Sequence, residues 1–280
     1  MTPSLGLLLD VDGPISSTRT RTLRLAALSD DLTAIAKSGC PVVFNTGRSA
    51  DFLGEQIIPR LVTSGLAPTD PVWGVGEKGG TWFSLTGTTG AARVGTVSED
   101  QNMAPPTTLV EAARDIAARF SEIVFFDATK RTMISLEQHV HVSSADFHRV
   151  RPEIIAEIER QIEHTGAHEM TIYPTFISID VEHADSGKAL GARRALDLLG
   201  ERMEAPRRWF TAGDSGQDYD MASELHERGF DVTHLDVRLD GPARDEPFRV
   251  IREIPDFAGG SAEDDITAYH VHELRAELRI

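Results

Sequence analysis

The chain has 280 residues, enough to bury a substantial core as one large domain or two smaller ones. Its apolar fraction of 40% with dispersed charge is that of a globular protein, and no apolar run approaches the ~20 residues of a membrane span. A formal charge of −16 excludes the basic face that nucleic acid requires and disfavours anionic membranes. One cysteine, Cys40, excludes an internal disulfide, and with no basic segment leading into an apolar stretch the expected location is the cytoplasm.

Leu5 to Leu9 is an apolar run bounded by the turn signal Gly13-Pro14, which predicts a short buried strand ending at Asp10. Asp10 and Asp12 lie two apart, so their carboxylates emerge together at its C-terminal end, the edge where open α/β sheets bind ligands. Crowded acids repel, and the arrangement requires a cation, a shared proton or a catalytic task. The plain alternative is a strand that ends in an acidic turn. A helix is predicted from near Ser29 to Gly39, with Asp30 and Asp31 in its first turn. A strand follows over Pro41–Asn45, running into Thr46-Gly47-Arg48, then a helix from about Ser49 to Val62 and a strand over Val72–Val75. This alternation implies a parallel sheet covered by helices.

From Gly80 the texture changes. Residues 81–97 are rich in Thr and Gly and read as hairpin or loop. A helix over 111–120, strands over 123–126 and 132–136, an amphipathic helix over 154–162 and strands over 171–173 and 176–181 make an α+β block. Near Ser186 the alternation resumes, with a helix over 189–199, strands over 208–211 and 232–235, and a closing helix over 263–280. The predicted fold is α/β: a Rossmann-like parallel-sheet core with helices on both faces, formed by residues 1–80 and 186–280. An α+β domain, residues 81–185, is inserted into it.

Three further segments bear on Asp10 and Asp12, in fixed order: the strand-end Thr46, Lys188 after Ser186-Gly187, and the acidic loop Gly213-Asp214-Ser215-Gly216-Gln217-Asp218. Taken singly, Thr46 is a turn residue and Lys188 a solvated lysine at a helix start. Together the four segments resemble the DxDG, Thr, Lys and GDxxxD motifs of the haloacid dehalogenase superfamily of aspartate-nucleophile phosphatases. The resemblance implies that Asp10 is the nucleophile and Asp12 the general acid and base. It implies that Thr46 and Lys188 bind phosphoryl oxygens, and that Mg²⁺ is held by Asp214, an oxygen of Asp10 and the backbone carbonyl of Asp12. Asp218 would orient metal waters or contact Lys188. Pro14 stands where many relatives carry Thr, and Gln217 where they often carry Asn.

An inserted domain at this position resembles the cap of the type IIB members, which include Cof-like, sucrose-phosphate and mannosyl-phosphoglycerate phosphatases. The implied function is Mg²⁺-dependent hydrolysis of a small phosphomonoester, a sugar phosphate above all, through an aspartyl-phosphate. The nearest rival is a phosphomutase with the same intermediate. A phosphorylation-controlled binding protein like a receiver domain is the other, although receivers are shorter and lack an acid at the Asp12 position. The partner in each enzyme reading is a small phosphorylated metabolite, and oligomeric state leaves no mark in the sequence.

Gly74-Val75-Gly76-Glu77-Lys78-Gly79 matches GxGxxG, but a dinucleotide site requires a following helix, and residues 81–85 read as extended. In the type IIB resemblance this segment aligns with a substrate-side loop reading roughly Glu-Asn-Gly, with Lys78 in place of Asn. His139 and His141 share one face of a possible strand, without the further ligands of a zinc site, which favours a surface or packing role. Lys130-Arg131 reads as solvated surface, or as a contact for a substrate anion.

Overall fold

The computed structural model describes residues 3–241, 244–252, 254–255 and 262–280. Two compact units divide the chain: Met1–Ser98 with Gly187–Ile280, and Glu99–Ser186. The first stretch contains β1 (Gly6–Leu9), α1 (Ala26–Lys37), β2 (Val42–Asn45), α2 (Ala50–Phe52), α3 (Ile58–Thr63), β3 (Val72–Gly76), β4 (Thr81–Thr86), β5 (Arg93–Val94) and β6 (Ser98–Glu99). The inserted unit contains α4 (Thr107–Arg119), β7 (Val124–Phe126), β8 (Met133–Gln138), α5 (Ser144–Thr165), β9 (Met170–Pro174) and β10 (Ser178–His183). The chain then returns through α6 (Lys188–Gly200), β11 (Arg208–Gly213), α7 (Tyr219–Glu227), β12 (Asp231–Asp236), β13 (Arg249–Ile251) and α8 (Glu263–Leu278).

In the first unit the sheet order is β13-β12-β11-β1-β2-β3-β4-β5, with β6 paired to β4. The strands from β13 to β3 are parallel, and β4 is antiparallel to β3. Such strands are covered on both faces, so they are largely apolar, with Asn45, Thr211 and His234 as buried polar exceptions. Leu7, Leu9, Val42 and Phe44 pack with α1, α3 and α8 residues on one face. Leu8, Val43 and Val75 face the other way, against α6 and α7 residues. From β1 the chain builds outward through β2 and β3 on one side, and later through β11, β12 and β13 on the other. The switch point of the sheet is therefore at β1 and β11, whose C-terminal ends frame the crevice where doubly wound sheets place ligands.

Several elements differ from their sequence expectations. Helix α1 starts at Ala26, so Asp31 lies beyond its first turn; it turns inward to α8, where Arg275 Nη1 donates to it at 2.6 Å and His272 Nδ1 lies at 3.0 Å. The expected helix over 49–62 is interrupted by a π-turn, Leu53–Ile57. Pro59, at the start of α3, has no N–H to continue the regular ladder. Residues 81–86, expected as hairpin or loop of the inserted domain, are a strand of the first unit, antiparallel to β3 on one side and to β5 on the other. Thr81, Phe83 and Leu85 are buried while Ser84 and Thr86 are exposed, an alternation masked in sequence by Thr and Ser. The inserted unit accordingly begins at Glu99.

That unit is α+β, with an antiparallel sheet ordered β7-β8-β10-β9. Ile134, Leu136, Ile179 and Val181 pack against Leu109 and Ile116 of α4 and Phe147, Ile154 and Ile158 of α5. Helix α5 runs well beyond 154–162, because the Ser143 hydroxyl caps Asp146 N–H at 3.1 Å and Pro152 is accommodated inside the helix. His139 and His141 lie past the end of β8, not on a strand; their rings stack with centroids 5.1 Å apart. After β3 the GxGxxG segment makes a tight turn over Glu77–Gly79, with positive φ at all three residues, and enters β4, so it lacks the helix a dinucleotide site needs. No helix among the described residues is long and apolar enough to cross a membrane.

Candidate active site

Asp10 directly follows β1, and its N–H bonds Ala212 O at 2.9 Å, keeping β1 and β11 paired up to the switch point. Gly13 adopts φ +85°, and a Cβ there would lie 2.6 Å from Asp214 Oδ2. Only glycine lets the Asp10–Gly13 turn pass beneath Asp214. Gly213, the last residue of β11, has a parallel constraint: a Cβ would meet Asp218 Cβ at 2.1 Å. The acidic loop closes on itself, because Asp218 Oδ2 accepts from Ser215 N at 2.9 Å and from Ser215 Oγ at 2.7 Å.

Lys188, the first residue of α6, is buried and reaches all of these elements. Its Nζ lies 2.5 Å from Asp10 Oδ1 and 2.7 Å from Asp218 Oδ1, and donates to Asn45 O at 2.8 Å. The ammonium thus lies between two carboxylates and a backbone carbonyl. Asn45 Nδ2 returns a bond to Lys188 O at 3.0 Å, so the end of β2 and the start of α6 hold each other. This closeness depends on Gly191, where a Cβ would fall 1.9 Å from Asn45 Oδ1. In the sequence Asn45 reads only as the last residue of a strand. A buried amide at the end of an apolar run is the signal that marks it, since such a group must find partners.

The acids are crowded. Asp10, Asp214 and Asp218 each offer a carboxylate oxygen within 4.8 Å of the others. Burial pushes Asp10 up to about 7, with Lys188 pulling the other way and Asp218 and Asp12 adding to the rise. Burial, then Asp10 and Asp218, push Asp214 up to about 8. Burial works against the Lys188 charge, but Asp10 and Asp218 outweigh it and hold its pKa above the usual lysine range. One ammonium among three acids leaves negative charge uncompensated. A cluster of hard carboxylate oxygens of this kind suits a hard divalent cation, so the residues present fit Mg²⁺.

Asp12 is not among the three grouped acids and is not paired with Lys188. Its side chain meets Arg48, which donates from Nε to Oδ2 at 2.8 Å and from Nη2 to Oδ1 at 3.0 Å. Thr46 is buried just after β2, with its N–H on Val75 O at 3.0 Å and its Oγ1 accepting from Arg48 N at 3.1 Å. Thus the crevice unites Asp10, Lys188, Asp214 and Asp218, while Thr46 stands on the adjoining loop and Asp12 is held by Arg48. The pairing of Asp12 with Arg48 spans 36 positions and has no sequence signature.

This fold, with acids after β1 and β11 and a lysine opening α6, is similar to that of a solved haloacid dehalogenase-like hydrolase and of several solved phosphatases. The solved structures it is similar to include sugar-phosphate phosphatases. The C-terminal domain of Candida albicans trehalose-6-phosphate phosphatase matches at 15% identity with a TM-score of 0.63, covering 99% of this chain and 94% of that one. Sucrose-phosphatase from Synechocystis, solved with sucrose and phosphate, matches at 14% identity with a TM-score of 0.52, covering 98% of each chain. A haloacid dehalogenase-like hydrolase from Bacteroides thetaiotaomicron matches at 11% identity with a TM-score of 0.56, covering 96% and 98%. No protein-family model and no curated protein sequence matches the chain.

Proposed function

We propose that this chain is a Mg²⁺-dependent phosphomonoester hydrolase acting on a small phosphorylated metabolite, with a sugar phosphate as the expected substrate. The observation that carries the reading is the contact of Asp10 with Lys188 beside Asp214 and Asp218, at the switch point of this sheet. A phosphoryl group repels nucleophiles, so its hydrolysis demands charge neutralisation and in-line placement. Asp10, with Asp214 and Asp218, would hold the cation, which supplies electrostatic stabilisation of the phosphoryl charge.

In this reading a carboxylate oxygen of Asp10 attacks phosphorus and the bond from phosphorus to the leaving oxygen breaks. That oxygen takes a proton from Asp12, giving the free alcohol and an aspartyl-phosphate. Water then attacks the same phosphorus and gives its proton to the Asp12 carboxylate. The acyl-phosphate P–O bond breaks, returning the Asp10 carboxylate and inorganic phosphate. Lys188 exchanges part of its contact with Asp10 for a phosphoryl oxygen, and the Thr46 hydroxyl donates to another. The inserted unit, residues 99–186, serves as the cap that selects the leaving group, as in the type IIB resemblance.

The test is phosphate release from p-nitrophenyl phosphate and from a panel including trehalose 6-phosphate and sucrose 6-phosphate, with Mg²⁺ and with EDTA. Release should require Mg²⁺ and vanish in Asp10→Asn, whose amide lacks the attacking oxygen. No turnover above that variant on any substrate refutes the hydrolase. Isomerisation primed by a sugar bisphosphate without net phosphate release would reassign the chain as a mutase.

A further inference from the structure

The pair formed by Asp12 and Arg48 is unlike the rest of the site. Every other acid in the crevice is crowded against acids or Lys188, whereas Asp12 is half-exposed and is gripped by a fork of two separate N–H groups. The grip comes from a well-anchored partner. Arg48 side-chain exposure is only 13%, and its guanidinium lies over the Phe52 ring with 4.9 Å from Cζ to the centroid. Its backbone is also held, with N–H on Thr46 Oγ1 at 3.1 Å and carbonyl accepting from Glu77 N at 3.0 Å. The β2 loop thus fixes the plane of a carboxylate that belongs to the β1 loop.

We infer that Arg48 is a positioning residue for proton transfer: it holds the Asp12 carboxylate in one orientation and acts on the reaction through Asp12, not through the substrate phosphate. This rests on the reading of Asp12 as the acid–base group. Two bonds to separate oxygens define a plane, which a single point charge cannot do. Each carboxylate oxygen keeps a second lone pair, so Asp12 can stay held while one oxygen faces the leaving group. Proton transfer is sensitive to such placement, since a misplacement of about 1 Å can cost ~10²-fold.

A double-mutant cycle tests the inference in the full chain with Mg²⁺. Phosphoryl transfer is followed in single turnover on p-nitrophenyl phosphate, whose leaving group needs no proton, and on a turned-over sugar phosphate, whose leaving group does. Arg48→Gln and Arg48→Lys should each lose about 10–100-fold on the sugar phosphate and far less on the aryl ester. KM and competitive inhibition by inorganic phosphate should stay within about twofold, because neither reads proton transfer. In the Asp12→Asn background, adding either Arg48 substitution should cost nothing further. Thermal melting checks folding, and if Arg48→Gln does not fold, Arg48→Lys carries the cycle. Equal losses on the two substrates, additive losses in the double variants, or a tenfold weaker phosphate inhibition would each overturn the inference. A wild-type protein that releases no phosphate from either substrate removes the hydrolase reading and this one with it, a result distinct from any of those three.

Discussion

Lys188 is buried with its ammonium against Asp10 and Asp218 and bonded to Asn45 O. Removing it leaves two buried carboxylates facing each other with no cation, so Lys188→Met should destabilise the fold by about 3–5 kcal/mol in urea denaturation. It should also reduce turnover ~10²–10³-fold, as loss of a donor to developing charge does. A stability loss below 1 kcal/mol would mean that the acids are already neutral. Lys78 carries a different signature. Glu77 and Lys78 are consecutive non-glycine residues at φ 50° and 54°, a region that costs on the order of 1–3 kcal/mol each. They are kept there by Glu77 N on Arg48 O, Lys78 N on Thr46 O and Gly187 N on Lys78 O, at 3.0, 3.0 and 2.8 Å. Asn tolerates this region better than Lys. Lys78→Asn should therefore keep or raise the melting temperature while changing KM for the phosphorylated substrate; an unchanged KM would make Lys78 a structural residue only.

Among the elements, those that build the site were the legible ones. The buried parallel strands β1, β2, β3 and β11 read as short, largely apolar runs, because strands covered on both faces are mostly apolar. Asp10 is marked by its place at the end of β1, whereas Asp214 and Lys188 gain their roles only from the order of the four motifs. Strand β4 was not legible, since Thr81 and Ser84 sit on opposite faces yet look alike in sequence. Nor was the pairing of Asp12 with Arg48, which depends on how two loops meet. The approach of α6 to β2 belongs to the same class and has a measurable cost. Alanine is the better helix former by ~1 kcal/mol, but at Gly191 its Cβ would strike Asn45 Oδ1. Gly191→Ala should destabilise by about 1–3 kcal/mol and lower turnover, since Asn45 holds Lys188. At Gly200, the last residue of α6, a Cβ meets nothing within 4 Å. Gly200→Ala is the control, and it should be neutral or stabilising. Equal behaviour of the two variants in chemical denaturation would refute the close-approach account.

For the molecule as a whole, the acid cluster and the buried His234 set opposite dependences of stability on pH. The folded pKa of the Asp10–Asp214 pair is raised, to about 7 and about 8, against an ordinary 3.8. Between these limits the folded protein keeps protons that the unfolded chain has released. The contribution is present below the unfolded pKa and is lost as pH rises through the folded values, by at most about 1.4 kcal/mol per pH unit for each group. His234 runs the other way: burial lowers it from 6.5 to about 4, so its contribution is full above 6.5 and is lost as pH falls toward 4. Above pH 6.5 only the acid cluster remains in play between the two. Without divalent cations, the melting temperature should therefore fall between pH 6.5 and 8. Mg²⁺ binds the ionised carboxylates, so its stabilising effect should be greater at pH 8 than at pH 6. Asp214→Asn should reduce the pH dependence in EDTA and shrink the Mg²⁺ shift together, because Asp214 contributes to both; Asp10 keeps the remainder. Scanning calorimetry with EDTA or Mg²⁺ across this range separates the possibilities. A melting temperature that rises toward pH 8 in EDTA, with a Mg²⁺ shift independent of pH, would mean that Lys188 alone keeps the cluster ionised.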